Sequence, residues 1–301
     1  MGKHLTLFET QEQYNMIADS LMHPNVTYIE KGNLIYNSIE TVLICKFVTT
    51  EANKEVRLYY ENPGGGTGSG SGSGADTGAD TGAGSGDGSD SFNISKIISK
   101  IRIDGVENEI NSTYTFTEVG EHIVEYEFAN GVTKIPNKLF YYCEDMTEIR
   151  IPDIIKVIGN GVFDGCTNLQ KIHIPNGVTS IGNYAFNHCL LNIYIPDSVT
   201  TIGEFCFANT SINKCTIGKS VTSIGANMFH YSLATELNII IKAVNPPTVL
   251  QVISQQNADL MGELKDNVSI RIYVPDESVN LYRNAPGWDT YSEYIVSIKN
   301  Y

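Results

Sequence analysis

The feature that most limits what this chain can become is a period. Phenylalanines at 140, 163, 186, 207 and 229 follow one another at intervals of 23, 23, 21 and 22 residues. Ile158-Gly159, Ile181-Gly182, Ile202-Gly203 and Ile224-Gly225 precede four of them, and Ile135-Pro136 holds the same place in the first unit. A third column runs Ile151-Pro152, Ile174-Pro175, Ile195-Pro196, with Ile217-Gly218 as its degenerate fourth member. The unit reads V-T-x-I-G-x-x-x-F-x-x-C-x-x-L-x-x-I-x-I-P-x, in about five copies between residues 132 and 243. A unit this small cannot bury its own apolar side. Such units fold by stacking, which aligns the same side chain from every turn into one continuous core.

Within a unit, L-x-x-I-x-I alternates with period 2 and predicts a short strand. The proline after it ends the pairing, because it lacks an N–H. The Ile-Gly step is expected to turn the chain, and the segment around each phenylalanine, such as 183–188, to form a short helical or 3₁₀ turn. The predicted result is a curved right-handed coil with one parallel β face. Six cysteines stand at 45, 143, 166, 189, 206 and 215, without CxxC spacing. Cys143, Cys166 and Cys189 each follow a phenylalanine by three positions and should form an inward ladder continued by Thr210 and Ser232. Cys206 replaces Ala185 of the previous unit, and Cys215 matches inward Ile193. They read as small buried thiols of a reduced protein; a metal site or a disulfide is the alternative.

The segments IPNGVTSIGNYAFNHC (174–189) and IPDSVTTIGEFCFANT (195–210) resemble the BspA-like leucine-rich repeats of Bacteroidales and related bacteria. NPPTV at 245–249 and IYVPDESVNLYRNAPGWDTYSEYIVSI at 272–298 resemble the end of such proteins, so the likeness spans about residues 132–298. It implies a closing strand, helix and tryptophan-containing cap, in which Asp276 would N-cap the helix and Trp288 would cover the last coil. It also implies adhesion, with protein or glycan as ligand, usually on a cell surface, and no catalysis.

The front half is different. Residues 63–90, PGGGTGSGSGSGADTGADTGAGSGDGSD, hold nothing that could build a core. As a flexible chain, ~28 such residues span roughly 29 Å. Strand-like stretches flank the tract: Val42–Val48 and Val56–Tyr60 before it, Ile97–Ile103 and Thr113–Phe128 after it, with Asp104-Gly105 as a turn signal. They are expected to form one small β module with the tract looping out, or else two separately folding sides. The first 40 residues contain FETQEQYNMIADS, helical in pattern, then PNVTYIEKGNLIYN. This opening resembles that of proteins of Bacteroidales genomes and their phages, some of them virion structural proteins. The expected organisation is an anchoring segment at 1–40, a small β module at 41–130 interrupted at 63–90, repeats at 131–249 and a cap at 250–301. The fold class is a repeat solenoid, mostly β with short helical turns.

Charge and motifs narrow the function. With 34 acidic against 20 basic residues the formal net charge is −14, which disfavours nucleic acid and anionic membranes as partners. No apolar run reaches the ~18 residues of a membrane span, and MGKHLTLFETQEQYNMIADS lacks the apolar stretch and cleavage site of a secretory signal. Asp76-Thr77-Gly78 and Asp80-Thr81-Gly82 spell the triplet of aspartic proteases, but that chemistry needs two rigidly held carboxylates. Calcium-solenoid spacing, a P-loop, a dinucleotide fingerprint and a recognisable Ser/Cys–His arrangement are all missing. No cofactor and no metal are expected.

The positive candidate is the outward side of the strands. The x before the last apolar residue of L-x-x-I-x-I gives Arg150, His173, Tyr194 and Thr216; the x before the first isoleucine gives Glu148, Lys171, Asn192 and Lys214. The two columns mix charge, hydrogen bonding and one aromatic, as a ligand surface does, and also as any solvated strand face does. The expectation is a non-enzymatic adhesion protein that contacts a protein or glycan on a host surface. It would be a virion fibre or decoration protein of a phage or prophage, held to other virion proteins by its N-terminal segment and open to homo-oligomerisation. A bacterial cell-surface adhesin that binds host proteins or glycans is one alternative, and an enzyme with an unrecognised site is the other.

Overall fold

In a computed structural model, the residues described are 6–7, 28–30, 33–36, 41–60, 92–250, 260–262 and 268–301. The array is a parallel β solenoid with two ladders of strands per coil and a hydrogen-bonded corner between them. One six-stranded parallel sheet joins Lys134–Ile135, Val157–Ile158, Ser180–Ile181, Thr201–Ile202, Ser223–Gly225 and Thr248–Leu250. These are the V-T-x-I-G segments: the isoleucine lies in a short strand and the chain turns just after the glycine, where a turn was expected, with Gly225 alone of the four glycines inside its strand. The isoleucines at 135, 158, 181, 202 and 224 all point into the core. The glycines are there for room: a Cβ on Gly182, Gly203 or Gly225 would lie 2.2–2.7 Å from atoms of the preceding coil. Pro136 can hold the column in the first coil because no repeat precedes it.

The second ladder carries the L-x-x-I-x-I strands and is broken once. Met146–Arg150 pairs in parallel with Lys171–His173. Ile193–Ile195 starts a different, five-stranded sheet with Lys214–Ile217, Glu236–Ile241, Ser269–Val274 and Ile295–Ser297. The break falls where the unit contracts: Phe163 and Pro175 are 12 positions apart, Phe186 and Pro196 only 10.

The corner around each phenylalanine is a series of turns, in place of a helix. Its first and last residues have positive φ in every coil: Lys138 and Tyr142, Gly161 and Gly165, Tyr184 and His188, Phe205 and Asn209, Asn227 and Tyr231. Left-handed residues interrupt a helix and turn alternate N–H groups toward the next coil. Tyr184, Phe186 and His188 donate to the carbonyls of Glu204, Cys206 and Ala208 at 2.9, 2.9 and 3.0 Å, and the neighbouring coils repeat the pattern. An asparagine ladder adds to it. Asn137 Oδ1 accepts the N–H of Asn160, Asn160 Oδ1 that of Asn183, and Asn183 Oδ1 that of Glu204, at 2.8–2.9 Å.

The phenylalanines form one stack, with centroids 5.7, 5.5, 5.7 and 5.8 Å apart from Phe140 to Phe229. At its open end the Tyr126 ring meets Phe140 edge-on at 5.3 Å, and the Tyr126 hydroxyl donates to the Leu58 carbonyl. Tyr126 comes from the front strands, which are thus the cap of the first coil. Val42–Thr49 lies antiparallel to Gly120–Phe128 on one side and to Met146–Arg150 on the other. Lys54–Arg57 pairs with Thr113–Phe116. Strands from both sides of the glycine-rich tract therefore share sheets, and one sheet runs on across residue 130 into the repeats. The tract and the helical-pattern segment of the first 40 residues lie outside the described residues. Three short strands of that opening, Thr6–Leu7, Tyr28–Glu30 and Asn33–Tyr36, form a small sheet.

At the other end Trp288 is buried, its Nε1–H donating to the Pro247 carbonyl at 2.8 Å and its ring edge-on to Tyr282. Asp276 does not cap the helix at Val279–Arg283. It opens a 3₁₀ turn after Pro275, and its carboxylate takes the Ser297 hydroxyl and the Lys299 ammonium. The 3₁₀ turn interposed before the helix moves Asp276 out of capping reach.

All six cysteines are buried and free. Cys166 and Cys189 donate to the carbonyls of Phe140 and Phe163 one coil back, each at 3.1 Å, and Thr210 gives its hydroxyl to Phe207 within its own coil. Burial pushes all six thiols up from their ordinary range, so the reactive thiolate is scarce. Titration of the native protein with a thiol reagent is expected to leave them unmodified, and denaturation to expose all six. Rapid native labelling of Cys143, Cys166 or Cys189 would show that the ladder does not face inward.

Candidate binding face

The outward residues of the broken ladder fall into two groups. On the first sheet Glu148 stands opposite Lys171 and Arg150 opposite His173. The Lys171 ammonium lies 3.6 Å from the Glu148 carboxylate, a half-exposed pair of little energetic weight. On the second sheet Tyr194 stands opposite Thr216, and the column continues through Ile240 to Tyr273. No strand pairing joins His173 to Tyr194 among the described residues. The eight positions are therefore two patches with a seam between them.

Tyr194 is the most prominent group of the second patch, 42% exposed. The Lys242 ammonium lies 4.9 Å over its ring and 3.5 Å from its hydroxyl. Lys214 sits 4.7 Å over the ring of Tyr301, which in turn meets Tyr273 edge-on at 4.9 Å. Asn192 is committed to the fold: its Oδ1 accepts the N–H groups of Asn213 and Lys214 at 3.2 and 3.0 Å. Sequence reasoning missed Lys242, Tyr273 and Tyr301. Lys242 occupies the place that the repeat gives to proline or glycine, one residue beyond Ile241, which pairs with Ile217, so its irregularity was the only signal.

One arrangement in the front strands has the outline of a catalytic relay. Thr49 Oγ1 lies 3.3 Å from His122 Nε2, and His122 Nδ1 lies 2.9 Å from Asp104 Oδ2. Chemistry needs a reachable nucleophile, and Thr49 is 1% exposed. Its hydroxyl is already engaged, donating to the Glu118 carbonyl and accepting the Gly120 N–H. His122 Nε2 also faces the Glu118 carbonyl at 3.1 Å. The three residues staple the turn before Gly120–Phe128.

On the turn side of the third coil, Asn183 and Asn187 are both structural. Asn183 belongs to the asparagine ladder. Asn187 is buried, donating to Asp164 Oδ1 at 2.9 Å and accepting from Asn209 at 3.0 Å.

Residues 133–245 match the BspA type leucine rich repeat region, in six copies, one more than the phenylalanine column counts. The array is a BspA-type leucine-rich repeat region. Solved structures are similar to parts of the chain. The pneumococcal vaccine antigen PcpA aligns with 56% of this chain and 38% of its own, at 17% identity and a TM-score of 0.41. The T. pallidum leucine-rich repeat protein aligns over 48% and 69%, at 21% identity and a TM-score of 0.33. A leucine-rich repeat protein from Bacteroides ovatus aligns over 57% and 46%, at 25% identity and a TM-score of 0.26. The chain thus spans well under half of the pneumococcal antigen's length. A search of curated proteins finds no match. Among the described residues no helix is long and apolar enough to cross a membrane.

Proposed function

We propose that this chain is a non-enzymatic binding protein whose outward strand residues contact a protein or glycan on a cell surface. In this reading it is carried as a fibre or decoration protein on a phage or prophage virion, with residues 1–40 joining it to other virion proteins. The observation that carries the reading is the Tyr194–Lys242 pair. An aromatic ring and an ammonium stand exposed at a sheet whose other side is closed core, touching each other across two ladder steps at the surface. Tyrosine offers an apolar body and a hydroxyl, a combination suited to protein and sugar surfaces.

The test is binding of the purified chain to host cell envelopes, alongside thermal melting. Tyr194→Ala and His173→Ala are expected to weaken binding about tenfold or more with the melting temperature unchanged. Lys219→Ala, removing an exposed side chain beyond the strands, should leave binding as it was. Unchanged binding in both strand variants would overturn the reading. Capsid and tail genes beside the gene would support the virion setting, and envelope genes there would move the protein to the bacterial surface.

A further inference from the structure

The chain contains three Asn-Gly-Val steps, at Asn130–Gly131, Asn160–Gly161 and Asn176–Gly177. In such a step no side chain shields the glycine's amide nitrogen, and that nitrogen can attack the carboxamide of the asparagine before it. In sequence the three are alike. The fold makes them different.

Asn160–Gly161 is clamped from both sides. Its C=O takes the Lys138 N–H from the coil before, and its N–H donates to the Asn183 carbonyl in the coil after, each at 2.8 Å. The Asn160 side chain is held too, with Oδ1 accepting the Asn183 N–H at 2.9 Å. Attack requires this peptide plane to rotate, which breaks all three bonds. The other two steps sit at the tips of turns. The Val132 N–H closes on the Ala129 carbonyl at 3.2 Å and the Val178 N–H on the Pro175 carbonyl at 3.1 Å, so Asn-Gly fills the two central positions of each turn. Among the described residues neither Gly131 nor Gly177 donates its N–H. Asn130 and Asn176 are exposed, and no hydrogen bond from the described residues holds either side chain.

The two open steps differ in one respect. The Lys156 ammonium, one coil back, lies 2.7 Å from where a Gly177 Cβ would stand, whereas nothing lies within 4 Å of that place at Gly131. A cation there favours the negative charge that the amide nitrogen takes on when its proton leaves.

We infer that Asn176 and Asn130 are sites of spontaneous deamidation, Asn176 the faster because of Lys156, and that Asn160 is protected. The glycine nitrogen gives its proton to solvent and bonds to the asparagine Cγ. The bond from Cγ to the side-chain nitrogen breaks, ammonia leaves, and a succinimide ring closes. Water then adds at one of the two ring carbonyls and opens the ring, to aspartate or to isoaspartate. Each event turns a neutral amide into a carboxylate, so the two together lower the formal net charge of −14 by two. Asp153 and Asp197 hold the place of Asn176 in the neighbouring units, after Pro152 and Pro196, so the aspartyl product is a residue that this turn already accepts. The isoaspartyl product lengthens the backbone of the turn that leads into Ser180–Ile181. Asn176 also follows His173 of the first strand patch by three residues, yet the inference does not depend on the strand-face reading, since it rests on the turns alone.

The experiment incubates the full chain in mildly alkaline buffer, folded and in urea, and maps its peptides by mass at intervals. In the folded chain the peptides with Asn176 and Asn130 are expected to exchange an NH2 for an OH. Asn160 should react slower than Asn176 by about a hundredfold or more, since three bonds must open first. In urea the three should react at similar rates. Lys156→Met should slow Asn176 about threefold and leave Asn130 as it was. Asn130 is the reference within the same molecule, because a general loosening of the fold would speed both. Reaction at Asn160 as fast as at Asn176 in the folded chain would overturn the inference. So would a folded chain intact at all three steps after the chain in urea has been converted. An Asn176 rate unchanged by Lys156→Met would overturn the role given to the ammonium.

Discussion

Phe186→Ala is expected to cost about 3–5 kcal/mol of unfolding free energy. The ring is fully buried between Phe163 at 5.5 Å and Phe207 at 5.7 Å. Truncation therefore removes contacts on two faces and leaves a void in the middle of a single stack. Coils have few neighbours other than the coils before and after them, so the damage should spread along the array. Urea denaturation followed by far-ultraviolet dichroism measures it, and a broadened transition should accompany the shift. A loss under ~1 kcal/mol would place Phe186 outside the core.

Gly225→Ala should destabilise by about 1–3 kcal/mol through a single methyl group. Its Cβ would stand 2.2 Å from the Glu204 nitrogen, 2.4 Å from the Gly203 carbonyl carbon and 2.5 Å from Glu204 Cα. All three are backbone atoms of the preceding coil, so no rotamer change relieves the collision and the two coils must separate. Pro136→Ala is the control, since that member of the column has no earlier repeat to strike. The same urea titration compares them. Equal stabilities for Gly225→Ala and the parent would mean that the glycine column serves chain conformation and not close approach.

These two residues mark how far the sequence could be read. The phenylalanine column announces the stack because an aromatic at fixed period has one physical explanation. The cysteine ladder follows from the same phase. The Ile-Gly column was as visible, and so was the turn that follows it, but the close approach that requires glycine was not, because the backbone beside it belongs to another coil. The same blindness applies to Asn183 and Asn187, which look like solvated turn residues until the amides one coil away are placed. The seam between His173 and Tyr194 was present as a two-residue contraction, although the spacing alone does not say which ladder absorbs it. Asp276 failed as a cap because proline and a 3₁₀ turn precede the helix, a local preference that the acidic residue did not reveal.

The corner hydrogen bonds also give the array a direction. From Lys138 to Met228 the bonded amides send N–H toward the later coil and C=O toward the earlier one, so their dipoles add as they do in a helix. The two ends are consequently unlike. The Tyr60 N–H meets the Leu139 carbonyl at the first coil, and the carbonyls of Leu250 and Leu260 receive the N–H groups of Ala226 and Met228 at the last. A front piece that donates cannot serve at the back, nor a back piece that accepts at the front. Any interior corner, by contrast, presents donors ahead and acceptors behind, as the other interior corners do. Such a protein can lengthen by duplicating an interior coil while both terminating pieces stay as they are, which makes its reach adjustable without redesigning its ends.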